Sequence, residues 1–245
     1  MDLDYSAYAS GQVFYSRPGF PAFPVRVASD IFSKSVSLLK EQGLDSPYVL
    51  YDPCCGSGQL LVTLGFQYGE FLSQVVGSDI RPEAVELAEK NLGLLTISGL
   101  EKRIHGLQEL IDKFGKESHK VTLHNALAFQ NRLQEVLALH PIQTRVFQAD
   151  VFDERTLASQ FAETNPNLVI TDIPYGQASS WTTDVLPGER SPAEQMLEIL
   201  LPILSRPAIV AVASNRKQPV KHPSYTREEQ WKVGRRRVVF LTRSE

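Results

Sequence analysis

Residues 48–61 read YVLYDPCCGSGQLL, and the fold turns on how this stretch is read. Tyr48-Val49-Leu50-Tyr51 is a short apolar run of strand-forming residues. It stops at Asp52-Pro53, where proline cannot extend a ladder. Gly56 and Gly58 follow in a tight turn, and an apolar segment from Leu60 to Phe66 comes next. A buried strand, a glycine turn and another apolar segment are the opening of an α/β unit.

Working outward, the same grammar repeats. Val27, Ile31, Val36 and Leu39 fall near one helical face, and Gly43 supplies a stop. Gln74–Ser78 reads as a second strand, and Pro82 opens a helix with Val85, Ala88, Leu92 and Leu95 inward. Strand signals return at Thr144–Ala149, Leu168–Ile170 and Ala208–Val212. Ser191-Pro192-Ala193-Glu194 is a capping box that launches a helix toward Leu204. Segments around Trp231–Val233 and Val238–Leu241, with Gly234 between, read as a closing hairpin. The expected fold class is α/β, a doubly wound, mostly parallel seven-stranded sheet ending in a β-hairpin. The polar, helix-prone stretch of about 99–140 is too long for a connection and reads as a helical insertion in one domain spanning 1–245.

Bulk properties exclude several classes. The chain has 245 residues, 42% hydrophobic and 22% charged, and no run long enough to span a membrane. Its acidic, polar start does not resemble a signal peptide, so a cytoplasmic, monomeric protein is expected. Cys54 and Cys55 are adjacent and the histidines scattered, which offers neither a disulfide framework nor metal-ligand spacing. The net charge of −3 argues against a protein that coats nucleic acid. Local basic clusters remain at Arg216, Lys217 and Lys221, and at Arg235, Arg236 and Arg237.

In an open parallel sheet, ligands bind beyond the carboxyl ends of the strands. Asp52, Asp79, Asp150 and Asp172 all stand at such ends. A nicotinamide fingerprint needs a third glycine, but that slot holds Leu61. Asp52, just before the turn, would repel a phosphate and suits a cationic ligand. S-adenosylmethionine carries an ammonium group and a positive sulfonium. Asp79 is placed to accept ribose hydroxyls, and Asp150 to meet an adenine amine with Phe152 packing nearby. The two cysteines read as small packing residues.

The Asp-x-x-x-Gly-x-Gly turn, the acid ending the second strand and TDIPYG at residues 171–176 resemble class I S-adenosylmethionine-dependent methyltransferases. The ordered set PGFPAFPVR (18–26), DPCCGSG (52–58), FGK (114–116), ADVFD (149–153) and TDIPYG is similar to the avilamycin-resistance 23S ribosomal RNA methyltransferases. The resemblance implies cofactor contacts at Asp52, Cys54, Gly56, Gly58, Asp79, Ile80, Asp150 and Val151. It implies chemistry at Asp172, Ile173, Pro174 and Tyr175, where Asp172 and the Ile173 carbonyl would accept an amine's protons while Tyr175 stacks on the base. Ile173 replaces the more usual proline there, and the turn looks most like those that methylate the exocyclic N2 amine of guanine. Trp181, Arg216, Lys217 and Lys221 would contact the ribosomal RNA, as free RNA or within a ribosomal particle. The stretch from Phe20 to Arg26 would cap the cofactor. Rival readings are the same fold acting on transfer RNA or a protein glutamine, and a non-catalytic cofactor-binding RNA module.

Overall fold

The structure is a computed structural model that describes residues 6–8, 12–174, 181 and 190–244. The strands are β1 (Tyr48–Asp52), β2 (Leu72–Asp79), β3 (Gln143–Gln148), β4 (Leu168–Asp172), β5 (Ile209–Asn215), β6 (Tyr225–Val233) and β7 (Arg236–Arg243). They form one seven-stranded sheet in the order β3-β2-β1-β4-β5-β7-β6. The first five are parallel, and β7 is antiparallel to both β5 and β6.

Period-two alternation assigns the two faces of this sheet. Tyr48, Leu50, Leu168, Ile170, Ile209 and Ala211 enter one core, while Val49, Tyr51, Val169, Val210 and Val212 enter the other. Strands buried on both faces read as continuous apolar runs, which is why β1, β4 and β5 are legible in the sequence. The first face is covered by α1 (Val25–Glu41), α2 (Gln59–Tyr68) and α3 (Pro82–Gly93), through residues such as Ile31, Phe32, Leu61, Leu64, Ala88 and Leu92. The polar stretch between β2 and β3 folds as two further helices, α4 (Ile97–Phe114) and α5 (Glu117–Leu139), turned by Gly115 at φ 60°. They join the same core through Leu100, Leu107, Phe129 and Leu133. On the second face lie α6 (Glu154–Gln160) and α7 (Pro192–Leu200).

Three local expectations change. The short helix α6 has no counterpart in the sequence reading; Asp153 caps it by accepting the Thr156 amide at 3.1 Å, and only Leu157 is buried, too little to show a period. Helix α7 ends at Leu200 and tightens into a single 3-10 turn over Leu201–Ile203 that contains Pro202, which has no N–H to donate. The hairpin strands are also longer than their apolar cores suggest. Thr226, Arg227 and Gln230 extend β6 as an exposed edge, where backbone pairing to β7 suffices without burial, and Glu228 is bulged out of the register.

Candidate active site

The strand order reverses between β1 and β4, so the crevice beyond their carboxyl ends is where a ligand fits. A cleft of about 420 Å³ opens there, a size suited to a nucleotide-like molecule. Asp52 and Asp172 are the last residues of β1 and β4, Asp79 ends β2, and Asp150 lies just past β3; all four line the cleft. Cys54, Gly56, Ile80, Val151 and Pro174 line it too.

The glycine turn is laced to its neighbours. Gly56 and Gly58 have φ of 53° and 69°, a left-handed conformation that costs an L side chain about 1–2 kcal/mol. A Cβ on Gly58 would lie 2.9 Å from Leu92 and 3.0 Å from Ala88, so this position serves the packing of the turn on α3 and does not line the cleft. A Cβ on Gly56 would meet nothing within 4 Å, although Gly56 borders the cleft. The Gly56 amide donates to Asp79 Oδ2 at 2.9 Å, and Asp79 Oδ1 accepts the Arg81 amide at 3.0 Å and its Nε at 3.3 Å. Asp150 Oδ1 accepts the Phe152 amide at 2.9 Å in an Asx turn.

Electrostatics point to a cation. Asp52 is 2% exposed. Burial pushes its carboxyl up to about 7, against the Thr171 hydroxyl and the Cys54 amide, while Asp172 and Asp79 push it further. A buried carboxylate among others is costly until a positive group arrives. An ammonium or sulfonium supplies that charge, so the donor set fits S-adenosylmethionine. Burial, and then the Asp52 carboxylate, raise both Cys54 and Cys55 well above the ordinary thiol range. Both stay as protonated thiols, which suits packing and not nucleophilic attack. Apolar groups complete the fit. Ile80 is 38% exposed into this region, and Phe152 packs on Trp181 with centroids 5.4 Å apart.

The expected residues separate into groups. Ile173 is buried, with its side chain in the second core and its amide donating to the Ala213 carbonyl at 3.0 Å. Trp181 stands in the cleft wall, packed on Phe152. Tyr175 lies outside the described residues. Arg216, Lys217 and Lys221 are exposed beyond the end of β5 and do not line the cleft. The stretch from Gly19 to Phe23 does line it, through Gly19, Phe20, Pro21 and Phe23.

Sequence reading missed two arginines. Arg81 braces Asp79 and lies over the Phe20 ring at 4.5 Å. Arg236 lies 3.6 Å from Asp172 and 5.3 Å above the Phe23 ring. The run Arg235–Arg237 was visible, but nothing local tells that β7 starts beside the end of β5, where Asn215 pairs with Arg236. The same pairing brings the two basic clusters together at the carboxyl end of β5, with Arg237 donating to the Arg216 carbonyl. Among the described residues no His, Cys, Asp or Glu cluster is arranged to hold a metal, and no helix is long and apolar enough to cross a membrane.

A seven-stranded sheet of this order, with a glycine turn after β1 and strand-end acids facing a cleft at the switch point, defines a class I methyltransferase. The family model described as rRNA methyltransferase AviRa matches residues 1–236. The 23S rRNA (guanine(2535)-N(1))-methyltransferase of Streptomyces viridochromogenes is 38% identical over 240 residues, covering 98% of this chain and 92% of that protein. Two solved structures of the rRNA methyltransferase AviRa from that organism superpose with TM-scores of 0.86 and 0.84, at 36% and 38% identity. Each alignment covers 99% of this chain and 94% of the other. The chain belongs to the AviRa family of rRNA methyltransferases.

Proposed function

We propose that this protein methylates a guanine of 23S ribosomal RNA at ring N1, using S-adenosylmethionine. The observation that carries the reading is the cleft in which Asp172 stands with Asp52, Asp79 and Asp150 around one cation-seeking cavity. Asp52, with the Cys54–Gly56 turn, would hold the aminoacyl end of the cofactor. Asp79 and Ile80 would hold its ribose, and Asp150 and Val151 its adenine, with Gly58 keeping the turn close to α3. When bound, the cofactor supplies a methyl group on a positively charged sulfur, an electrophile that needs no further activation.

The protein's own task is to present the nucleophile. Guanine N1 bears a proton whose removal places negative charge on the base, largely at O6. The Asp172 carboxylate is the acceptor at hand for that proton, Pro174 keeps the Ile173 backbone extended beside it, and Tyr175 would stack on the base. N1 replaces the N2 amine expected from the TDIPYG turn because the relative with 38% identity is named for N1. The order of Asp172-Ile173-Pro174-Tyr175, which resembles turns that clamp exocyclic amines, favours N2 as the second reading.

Arg216, Lys217 and Lys221, on the basic rim beyond the end of β5, would meet RNA phosphates. The protein would act as a cytoplasmic monomer on free RNA or on a ribosomal particle, and the mark would lower binding of a ribosome-targeting antibiotic. Mass spectrometry of nucleosides from 23S RNA, incubated with the protein and cofactor, distinguishes 1-methylguanosine from N2-methylguanosine. Finding neither would overturn the assignment. Drug susceptibility with and without expression tests the resistance role.

A further inference from the structure

Beside the base-facing acid of the cleft stands a cation that the cofactor does not need. Arg236 opens β7, an antiparallel strand none of whose residues lines the cleft. Its Nη2 stands 3.6 Å from Asp172 Oδ2, and its guanidinium lies over Phe23, 5.3 Å from the ring centre. Phe23 and Asp172 line the cleft, and Arg236, which borders both, stands at its margin. The side chains of Arg236 and Asp172 keep 27% and 26% of their surface exposed, so both remain reachable.

The separation matters. Charge-assisted N–H···O⁻ bonds run about 2.7–2.9 Å, and this pair is wider. A donor and an acceptor about 3–4 Å apart can face neighbouring edge atoms of a base, each at hydrogen-bond length. Guanine offers O6, an acceptor, next to N1–H, a donor. Adenine offers the reverse, an amino donor next to a ring-nitrogen acceptor. An arginine beside an aspartate matches the first pattern and opposes the second, because arginine has no acceptor and an ionised aspartate no donor.

We propose that Arg236 is the specificity and positioning residue for the target base, aiming Asp172 at N1–H and donating to O6. The proposal rests on the reading of this protein as a guanine methyltransferase. In the step, the N1 proton passes to the Asp172 carboxylate and the electron pair it leaves stays on the base as the nucleophile. The charge spread onto O6 is met by the Arg236 guanidinium, whose place on Phe23 is set before the base arrives. The neutral Asp172 carboxyl later returns its proton to solvent. A donor aimed at charge that develops during reaction strengthens as the charge grows, so it lowers the barrier more than it tightens ground-state binding.

The test is single-turnover methyl transfer to a 23S RNA fragment by the wild type, Arg236→Ala and Arg236→Lys, alongside calorimetric binding of S-adenosylhomocysteine. Arg236→Ala is expected to slow transfer about 10²–10³-fold, as for loss of one such donor. KM for RNA should stay within a few-fold, product binding within about twofold, and Arg236→Lys should recover part of the rate. A fragment with inosine at the target, which keeps O6 and N1–H but lacks the amine, should be methylated by the wild type, whereas adenine there should not. An unchanged rate for Arg236→Ala, or a loss confined to KM with a shallower salt dependence, would overturn the proposal and make Arg236 a phosphate contact. Unmethylated inosine in a wild type that modifies guanine would also overturn it. A wild type that leaves guanine unmodified would instead sink the functional reading on which it rests. Loss of product binding by Arg236→Ala would mark a folding defect, and the Arg236→Lys rate and the inosine substrate would then decide the matter.

Discussion

Asp79 accepts the Gly56 amide at 2.9 Å across the gap between β2 and the glycine turn, while its other oxygen accepts the Arg81 amide at 3.0 Å. One carboxylate thereby ties the glycine turn to the strand end and to Arg81, which lies over Phe20. Asp79→Ala is expected to weaken S-adenosylmethionine binding by about 1–3 kcal/mol, the cost of leaving buried polar groups unpaired. It should also lower the melting temperature of the free protein. Asp79→Asn, which keeps one acceptor oxygen, should lose less of both. Calorimetry and thermal melts check this, and an unchanged cofactor affinity in Asp79→Ala would remove Asp79 from the binding set.

The two glycines of the turn should fail in different ways. Gly58→Ala combines left-handed strain with contacts near 3 Å to Leu92 and Ala88. A loss of about 2–4 kcal/mol in stability is expected. Gly56→Ala has only the strain, about 1–2 kcal/mol, since its methyl group meets no protein atom within 4 Å. That methyl group would instead intrude on the ligand. Denaturant unfolding should rank Gly58→Ala as the less stable variant, and calorimetry should show cofactor binding impaired in Gly56→Ala.

Asp52 should make cofactor binding depend on pH. Its carboxyl is raised to about 7 by burial, from about 3.9 when unfolded. A raised carboxyl pKa favours the folded state fully below the unfolded value, and that contribution is lost as pH rises through about 7. The free protein should therefore lose stability from this group between roughly pH 4 and pH 7. An ammonium group reverses the preference, so affinity should rise with pH through the same range and binding should release a proton near pH 6.5–7. Calorimetry in buffers of different ionisation heat measures that proton, and Asp52→Asn should abolish its release.

Asp172→Ala should fold and bind cofactor but lose about 10²–10³ in the rate of methyl transfer. Asp172→Asn should fall nearly as far, because its amide oxygen can accept a hydrogen bond but cannot take up the N1 proton; a mild loss would favour the N2 reading instead. Tyr175→Phe should be milder, and Tyr175→Ala should lose the stacking surface together with rate. Full activity in Asp172→Ala, measured by single-turnover transfer, would exclude the acid from the chemistry.

The basic rim should govern affinity for RNA and leave the chemistry alone. Arg216→Ala combined with Lys217→Ala should raise KM for RNA and flatten its dependence on salt, because fewer counterions are released. Cofactor affinity should not move. If the salt slope stays the same, the rim is only a solvated face.

What the sequence by itself determined was the part written in local periods. Tyr48–Tyr51, Leu168–Ile170 and Ala208–Val212 are apolar throughout because both faces of their strands are covered, and such runs need no knowledge of the partner. The strand-end acids Asp52, Asp79, Asp150 and Asp172 were visible for the same reason: each follows its own strand. Helix α6 was not visible, since only Leu157 is buried along it. The rest depended on which strands become neighbours. Nothing in Arg235-Arg236-Arg237 records that β7 enters between β5 and β6 with Arg236 opposite Asn215. That register is fixed by Val238, Val239, Phe240 and Leu241 filling the two cores, a packing condition shared among distant segments. It carries one of three similar arginines to Asp172 and Phe23. The acid could be read from its strand; the cation beside it was decided by the tertiary structure.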